Sequence, residues 1–196
     1  SVNDSKKLAK EKIESDRIAS EKETYDKEQH EKPIKVLIER IKDIFNDIKK
    51  LLDNNTKNFN AFKLDLSNNF INNDNINSLN KNEFSILYTK NFITQFETTL
   101  KEAKEKQTEY TELLNEFKKE KFKSKFKNEL DNDPFKDEIN DLNKKKEYLD
   151  SQIKELEDLI KKSNNFINSL VNPNKKDKKL QEEARNIVNL NTPTVT

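Results

Sequence analysis

The 196-residue chain contains no glycine, and this absence limits its fold more than any other feature of the sequence. Phosphate-binding loops, dinucleotide-binding fingerprints and EF-hand loops place glycine where the backbone takes a positive φ or approaches a ligand closely. Type I′ hairpins and glycine-kinked sheets share this requirement. A helix needs glycine at its C-cap at most, where asparagine can substitute, and the chain has 28 asparagines. The sequence therefore predicts an all-α fold.

The apolar residues are numerous enough for a folded chain, but only for a narrow core. Leu, Ile, Val and Phe account for 52 of the 196 residues, which lies above the roughly 20% typical of disordered chains. The net charge of +1 adds no strong self-repulsion. No apolar run approaches the ~18–20 residues of a membrane span. We therefore expect a thin helical core beneath a strongly charged surface.

The chain divides into a polar leader, one folded domain and a short tail. Residues 1–32 carry five scattered large apolar side chains, so we expect a leader or tether that is flexible or partly helical. Pro33 suits the first turn of a helix and is predicted to open the domain. The domain is predicted to be a single helical bundle over 33–190, and the Thr-rich residues 191–196 are expected to fray.

Apolar residues recur every three or four positions in three long segments, which is the pattern of helices packed side by side. The first segment, 34–52, has two adjacent seams, so it predicts a helix that contacts two neighbours. The second runs from about 82 to about 130. The third, 135–170, keeps a heptad that is interrupted by Lys146 and Ser163.

The breaks between these segments predict how the helices connect. Residues 53–55 offer a stop or a kink, and the Asn-dense stretch 71–80 predicts a loop. The short segment 131–133, followed by Pro134, predicts the end of one helix and the cap of the next. A stretch at 180–188 predicts a final docked helix. Short connections favour antiparallel neighbours, so we predict an elongated three- to four-helix bundle with long antiparallel helices and coiled-coil-like packing.

The sequence offers little for catalysis, for a metal or for a cofactor. There is no cysteine, and the single histidine, His30, lies in the polar leader, where we interpret it as a solvated surface residue. Asp131 and Asp133 have the spacing that begins a calcium loop, but the required glycine and glutamate do not follow. Helix capping explains them instead. We predict a protein that is not an enzyme and that has no catalytic residue, cofactor or metal.

The sharpest local motif is FKKEKFKSKFK, at 117–127, where lysines surround three phenylalanines. Bases interleaved with aromatics can bind a polyanion such as a glycosaminoglycan. The lysines also have a structural explanation, because cations are favourable near a helix C-terminus. Lysine lacks the bidentate geometry that arginine brings to phosphate, so no nucleic acid is expected. The candidate patch consists of Lys118, Lys119, Lys121, Lys123, Lys125 and Lys127.

The glycine-free, Lys-, Asn- and Ile-rich chain, behind the leader SVNDSKKLAKEKIESDRIASEKE, resembles the plasmid-encoded outer-surface lipoproteins of Borrelia spirochaetes. In that family a signal peptide ends at a lipidated cysteine, and a tether and a small helical bundle follow. The resemblance implies display on the bacterial outer membrane through an acyl anchor upstream of Ser1. It also implies a host partner: a complement regulator, plasminogen or a matrix component. A helical merozoite-surface fragment of a malaria parasite shares the compositional bias and is the alternative.

Three functions remain open at this stage. The first is a non-enzymatic, surface-exposed lipoprotein module in host interaction or immune evasion, present as a monomer or weak dimer. The second is a structural coiled-coil protein that self-associates through the 135–170 seam. The third is a glycosaminoglycan binder that uses 117–127.

Overall fold

The computed structural model describes residues 1–72, 83–122 and 134–194, and it is helical over nearly all of them. No strand occurs within these ranges. The elements, in chain order, are α1 (Val2–Leu66), a π-helical turn (Ser67–Ile71), α2 (Glu83–Phe122), α3 (Lys136–Val171) and α4 (Asp177–Val188). The all-α helical bundle predicted from the sequence is confirmed.

Helix α1 is the element around which the others pack. Its 65 residues give a rod roughly 100 Å long at the usual rise per residue. Leu37 and Ile44 are buried beside a seam of positions that step by four or three residues from Ile34 onward, without a break in phase, into the π-helical turn. These positions are Ile34, Ile38, Ile41, Phe45, Ile48, Leu52, Asn55, Phe59, Phe62, Leu66 and Phe70.

Helix α1 continues through residues 53–55, where the sequence predicts a stop or a kink. Asn55 occupies a seam position and is fully buried, and Phe59 and Phe62 follow in the same phase. The phenylalanines stabilise the helix through tertiary packing, which outweighs the weak helix propensity of an Asp-Asn-Asn stretch. The residues from Thr56 to Leu66 therefore belong to α1 and not to a separate helix.

Pro33 does not begin a helix either. Helix α1 starts at Val2, capped by Ser1, and it continues through Pro33 into the bundle. Residues 2–32 are thus helical throughout. Because the bundle supplies a folded helix to extend, these residues pay no separate nucleation cost.

Helix α2 runs antiparallel to α1, and aromatic side chains fill the space between them. The rings of Phe62 and Phe92 stack at 5.1 Å between centroids, and Phe59 meets Phe96 edge-on at 6.3 Å. An ion pair between Lys106 and Asp47 continues the same register at 3.6 Å. Facing aromatics are worth more than their buried area alone, so they help to fix this pairing.

Helix α3 runs antiparallel to α2, as the sequence predicts. The buried hydroxyl of Tyr110 donates to the carbonyl of Leu142 at 2.6 Å. Burial raises the pKa of this phenol, and the nearby carboxylates of Asp141 and Asp150 act in the same direction. Along the predicted heptad of α3, every position except Ile139 and Lys146 is buried. The connection expected at 131–133 lies outside the described residues.

Helix α4 and the tail after it cover one end of the bundle. Leu180, Ala184 and Ile187 are fully buried, as their spacing predicts. Gln181 donates its amide N–H to the carbonyl of Phe70 at 2.8 Å, which supplies a partner to a backbone group near the end of the first rod. The final docked helix predicted at 180–188 is present and begins earlier, at Asp177.

The described part of the tail is docked, which differs from the fraying expected for 191–196. Pro193 is buried. The ammonium of Lys63 donates to the hydroxyl of Thr192 at 3.3 Å, and the backbone N–H of Thr194 donates to the side-chain oxygen of Gln152 at 2.8 Å. These contacts to α1 and α3 hold the chain as far as Thr194, because a backbone group with a buried partner resists fraying.

Replacing Tyr110 with phenylalanine should lower the free energy of unfolding by about 0.5–1.5 kcal/mol, the usual net value of one hydrogen bond. The ring and its packing remain, so the loss isolates the bond to Leu142. Urea denaturation followed by circular dichroism measures it. Tyr148→Phe is the control, because this tyrosine lies on the exposed side of α3. Equal effects of the two substitutions would contradict the role given to the Tyr110 hydroxyl.

Replacing Asn55 with leucine should raise the free energy of unfolding by about 1–3 kcal/mol. Neither polar atom of the buried amide has a hydrogen-bond partner among the described residues. The exposed neighbour substitution Asn54→Leu should stay within about 0.5 kcal/mol of the parent. Thermal and urea unfolding measure both variants. A loss of stability in Asn55→Leu would show that the amide is satisfied in solution.

Candidate functional site

The lysine motif at 117–127 is described in its first half. Lys118 and Lys121 are half-buried and Lys119 is exposed, all at the C-terminal end of α2. Cations there interact favourably with the helix dipole. The other three candidates, Lys123, Lys125 and Lys127, lie outside the described residues.

The first phenylalanine of this motif belongs to the core. Phe117 is fully buried, and its ring meets that of Phe135 edge-on, with centroids 6.1 Å apart. It therefore ties the end of α2 to the start of α3 and offers no surface on which a ligand could stack. In this half of the motif, the alternation of lysine and phenylalanine is the amphipathic pattern of a packed helix.

A groove with a volume of about 550 Å³ lies between α2 and α3. Polar side chains of the two helices form two pairs across it. Lys104 and Glu157 lie 2.8 Å apart, and the Gln107 amide donates to Asp150 at 2.7 Å. The groove is lined by Lys104, Gln107, Asp150, Ser151, Ile153, Lys154 and Glu157. A ligand would have to replace these pairs, so the groove favours helix pairing over small-molecule binding.

Sequence reasoning did not find this groove. Its two walls lie about 50 residues apart in the sequence, and no local pattern relates Lys104 to Glu157. A pattern in the sequence that does involve a groove residue is the i,i+4 spacing of Lys146 and Asp150. This spacing predicts a surface ion pair within one helix and not a groove between two helices.

His30 is half-buried, and its Nε2 is shielded from solvent without a hydrogen-bond partner among the described residues. The interpretation as a fully solvated histidine is thus corrected. The residue lies on the face of α1 that becomes the core at Ile34, and Asp26, Lys27 and Glu31 on the same face are also half-buried. This histidine marks the transition from exposed helix to bundle.

Metal-binding clusters and membrane-spanning helices are both absent from the described residues. Within the described ranges, no three or more His, Asp or Glu side chains are arranged so that they could hold a metal ion. None of the helices in the same ranges combines the length and apolarity needed to cross a bilayer.

The N-terminal part of α1, residues 1–32, is called the arm from here on. Packing in the core does not account for its helical structure. Residues 1–25 are exposed without exception. In the arm Arg17 binds two carboxylates, those of Glu14 and, at 2.7 Å, Glu21. The hydrogen bond from Arg17 lowers the pKa of Glu14. The arm is therefore a charged helix that lies outside the bundle as far as Tyr25, and the packed part of the molecule begins with the half-buried residues from Asp26 onward.

No protein-family model matches the sequence, and neither the curated proteins nor the solved structures include a match.

Replacing Lys118, Lys119 and Lys121 with glutamine should weaken retention on heparin no more than replacing Lys6, Lys7 and Lys10. Each triple variant removes three charges, and Phe117 is unavailable for stacking in either case. The salt concentration needed for elution measures the effect. A clearly larger loss in the α2 variant would make that turn a specific polyanion site.

Proposed function

We propose that this chain is a non-enzymatic binding module displayed on a bacterial cell surface through an acyl anchor upstream of Ser1. Its role is host interaction or immune evasion. The partner is a host protein of the complement-regulator, plasminogen or matrix class, or a glycosaminoglycan. The composition and leader shared with the Borrelia outer-surface lipoproteins support the location, and the proposal takes its partner classes from that resemblance.

The observation that carries the proposal is the arm. A helix that leaves the bundle at Ile34 and continues to Val2 separates the folded domain from the N-terminal end of the chain. A protein tethered at that end would present its bundle to the surroundings rather than to the surface that bears it. This geometry supports a displayed module over a compact intracellular one.

The exterior of the bundle supports recognition through side-chain complementarity. Some of its ion pairs run between helices, as in Lys104–Glu157 and Lys42–Glu138, and the latter pair lies at 3.5 Å. Such pairs hold charged side chains in fixed positions along the rod. A rigid surface of this kind loses little conformational entropy when a partner binds.

Display can be tested by expressing the full gene, with its own upstream sequence, in a spirochaete. Proteinase K added to intact cells should remove the protein while a periplasmic marker stays intact. Radiolabelled palmitate should be incorporated, and replacing the anchoring cysteine with serine should abolish that incorporation. Protection from protease in intact cells, with digestion after the outer membrane is disrupted, would contradict surface display.

Partner binding can be tested by surface plasmon resonance with the immobilised 196-residue chain. Purified complement regulators, plasminogen, matrix proteins and heparin are the analytes, and the heat-unfolded chain is the control. We expect saturable binding of at least one analyte that is lost on unfolding. Binding of none of them would contradict the partner classes proposed here.

A further inference from the structure

We infer that the arm is a stiff helical spacer that holds the bundle at a fixed distance from its point of attachment. This inference rests on the proposed function, because it assigns a mechanical role to the segment between anchor and bundle. It assigns a rod where the sequence predicts a leader or tether that is flexible or partly helical.

The arm lacks the apolar seam that a docking helix requires. The four-three spacing that places Ile34, Ile38 and Ile41 in the core can be extended upstream. It then falls on Glu31, Lys27, Thr24, Ser20, Arg17, Ile13, Lys10, Lys6 and Asn3. One apolar residue in nine positions makes no stripe for a partner helix, whether from this chain or from a second copy.

The large apolar side chains of the arm do not form a stripe elsewhere either. Val2, Leu8, Ile13, Ile18 and Tyr25 are all more than half exposed. At 100° per residue, Val2 and Ile13 point to one side of the helix, while Ile18 and Tyr25 point to a side roughly 140° away. Leu8 lies between the two. Single exposed apolar residues of this kind are normal on a protein surface and do not mark an interface.

The charge pattern stabilises a helix that is exposed on all sides as far as Tyr25. The arm carries eight basic and nine acidic residues. At i,i+4 spacing, eight of its charge pairs are opposite and one, Lys6–Lys10, is like-charged. Opposite charges at this spacing stabilise isolated helices, and a helix that is polar all round depends on them.

The arm also shares one helix with the bundle. Helix α1 is continuous through Pro33. A proline inside a helix removes one backbone hydrogen bond and crowds the carbonyl four residues earlier, which here belongs to Gln29. Half-buried side chains at His30 and Glu31 show that the packed part of the molecule begins before this proline. Neighbouring groups therefore support the helix where it is intrinsically weakest.

The reach of such a spacer follows from helix geometry. The distance from Ser1 to Ile34 is about 50 Å, since 33 residues each rise about 1.5 Å. A flexible chain of the same length has a root-mean-square end-to-end distance of about 40 Å, from the radius of gyration of an unfolded chain, and it fluctuates widely. The rod therefore holds the bundle farther out and keeps its orientation.

Distances between spin labels test this directly, because the chain has no native cysteine and labels attach only where one is introduced. The first pair is Ser5→Cys with Glu28→Cys, within the arm. The second is Ser20→Cys with Lys50→Cys, across Pro33. We expect narrow distributions centred near 35 Å and 45 Å, from 23 and 30 residues at about 1.5 Å each. A broad distribution in the first pair, of the kind that an unfolded chain gives, would overturn the inference.

Variants of the arm sharpen the test. With the first label pair, Ser20→Pro should broaden and shorten the distribution, whereas Ser20→Ala should leave it unchanged. Equal distributions for the two variants would overturn the inference. Protein labelled at Ser5→Cys alone should give no intermolecular distance, and a defined one would make the arm a dimerisation helix instead.

These measurements use the purified chain and do not depend on where it resides. A stiff arm in a protein that proves not to be surface-displayed would refute the proposed function alone. A flexible arm in a displayed lipoprotein would refute only the spacer.

Discussion

The structure depends on the burial of one apolar seam along α1. Between Ile34 and Phe70 each step of three or four residues returns the chain to the same face, and α2, α3 and α4 pack around this face. Upstream of Ile34 the same face carries Glu31 and Lys27, so the core ends although the helix does not. Hydrophobic burial thus sets the limits of the bundle, while backbone hydrogen bonds and surface charge pairs extend the helix beyond it.

The covering of that seam changes along the rod. Near Phe45, α2 and α3 complete the core. Near Phe70, α4 joins them, with Gln181 bound to the Phe70 carbonyl. The tail then contacts Lys63 and Gln152. Helix α4 is short, and it docks where α1 ends because a rod end leaves backbone carbonyls without helical partners.

The helices could be predicted from the sequence because the spacing of Ile, Leu and Phe is itself the pattern of burial. The same reasoning misplaced boundaries at Pro33 and Asn55. Both residues carry local signals that break isolated helices, and in both places the surrounding helix is supported by contacts distant in sequence. A buried asparagine in a seam of isoleucine and phenylalanine has no local signature, because the sequence shows its position but not its burial.

The candidate site was harder to predict, because the role of a lysine and phenylalanine motif depends on which way its side chains face. In the sequence, Phe117 is part of a motif of lysines and phenylalanines that predicts a binding surface. In the structure it packs on Phe135 inside the bundle. The groove beside Lys104 and Glu157 exists because two helices lie in one particular register. Register follows from the whole set of packed side chains, so a linear motif does not contain it.

The charge balance limits how such a molecule can recognise a partner. The net charge is +1 for the chain, and the arm, with eight basic and nine acidic residues, is close to neutral as well. Long-range electrostatic steering is therefore weak, and it would not draw a polyanion to the rod from a distance. Recognition must come from short-range complementarity along the helix faces, where paired side chains such as Lys42 and Glu138 are already held in place. A spacer is useful to a surface of this kind, because a partner that is not attracted from afar has to meet it unobstructed.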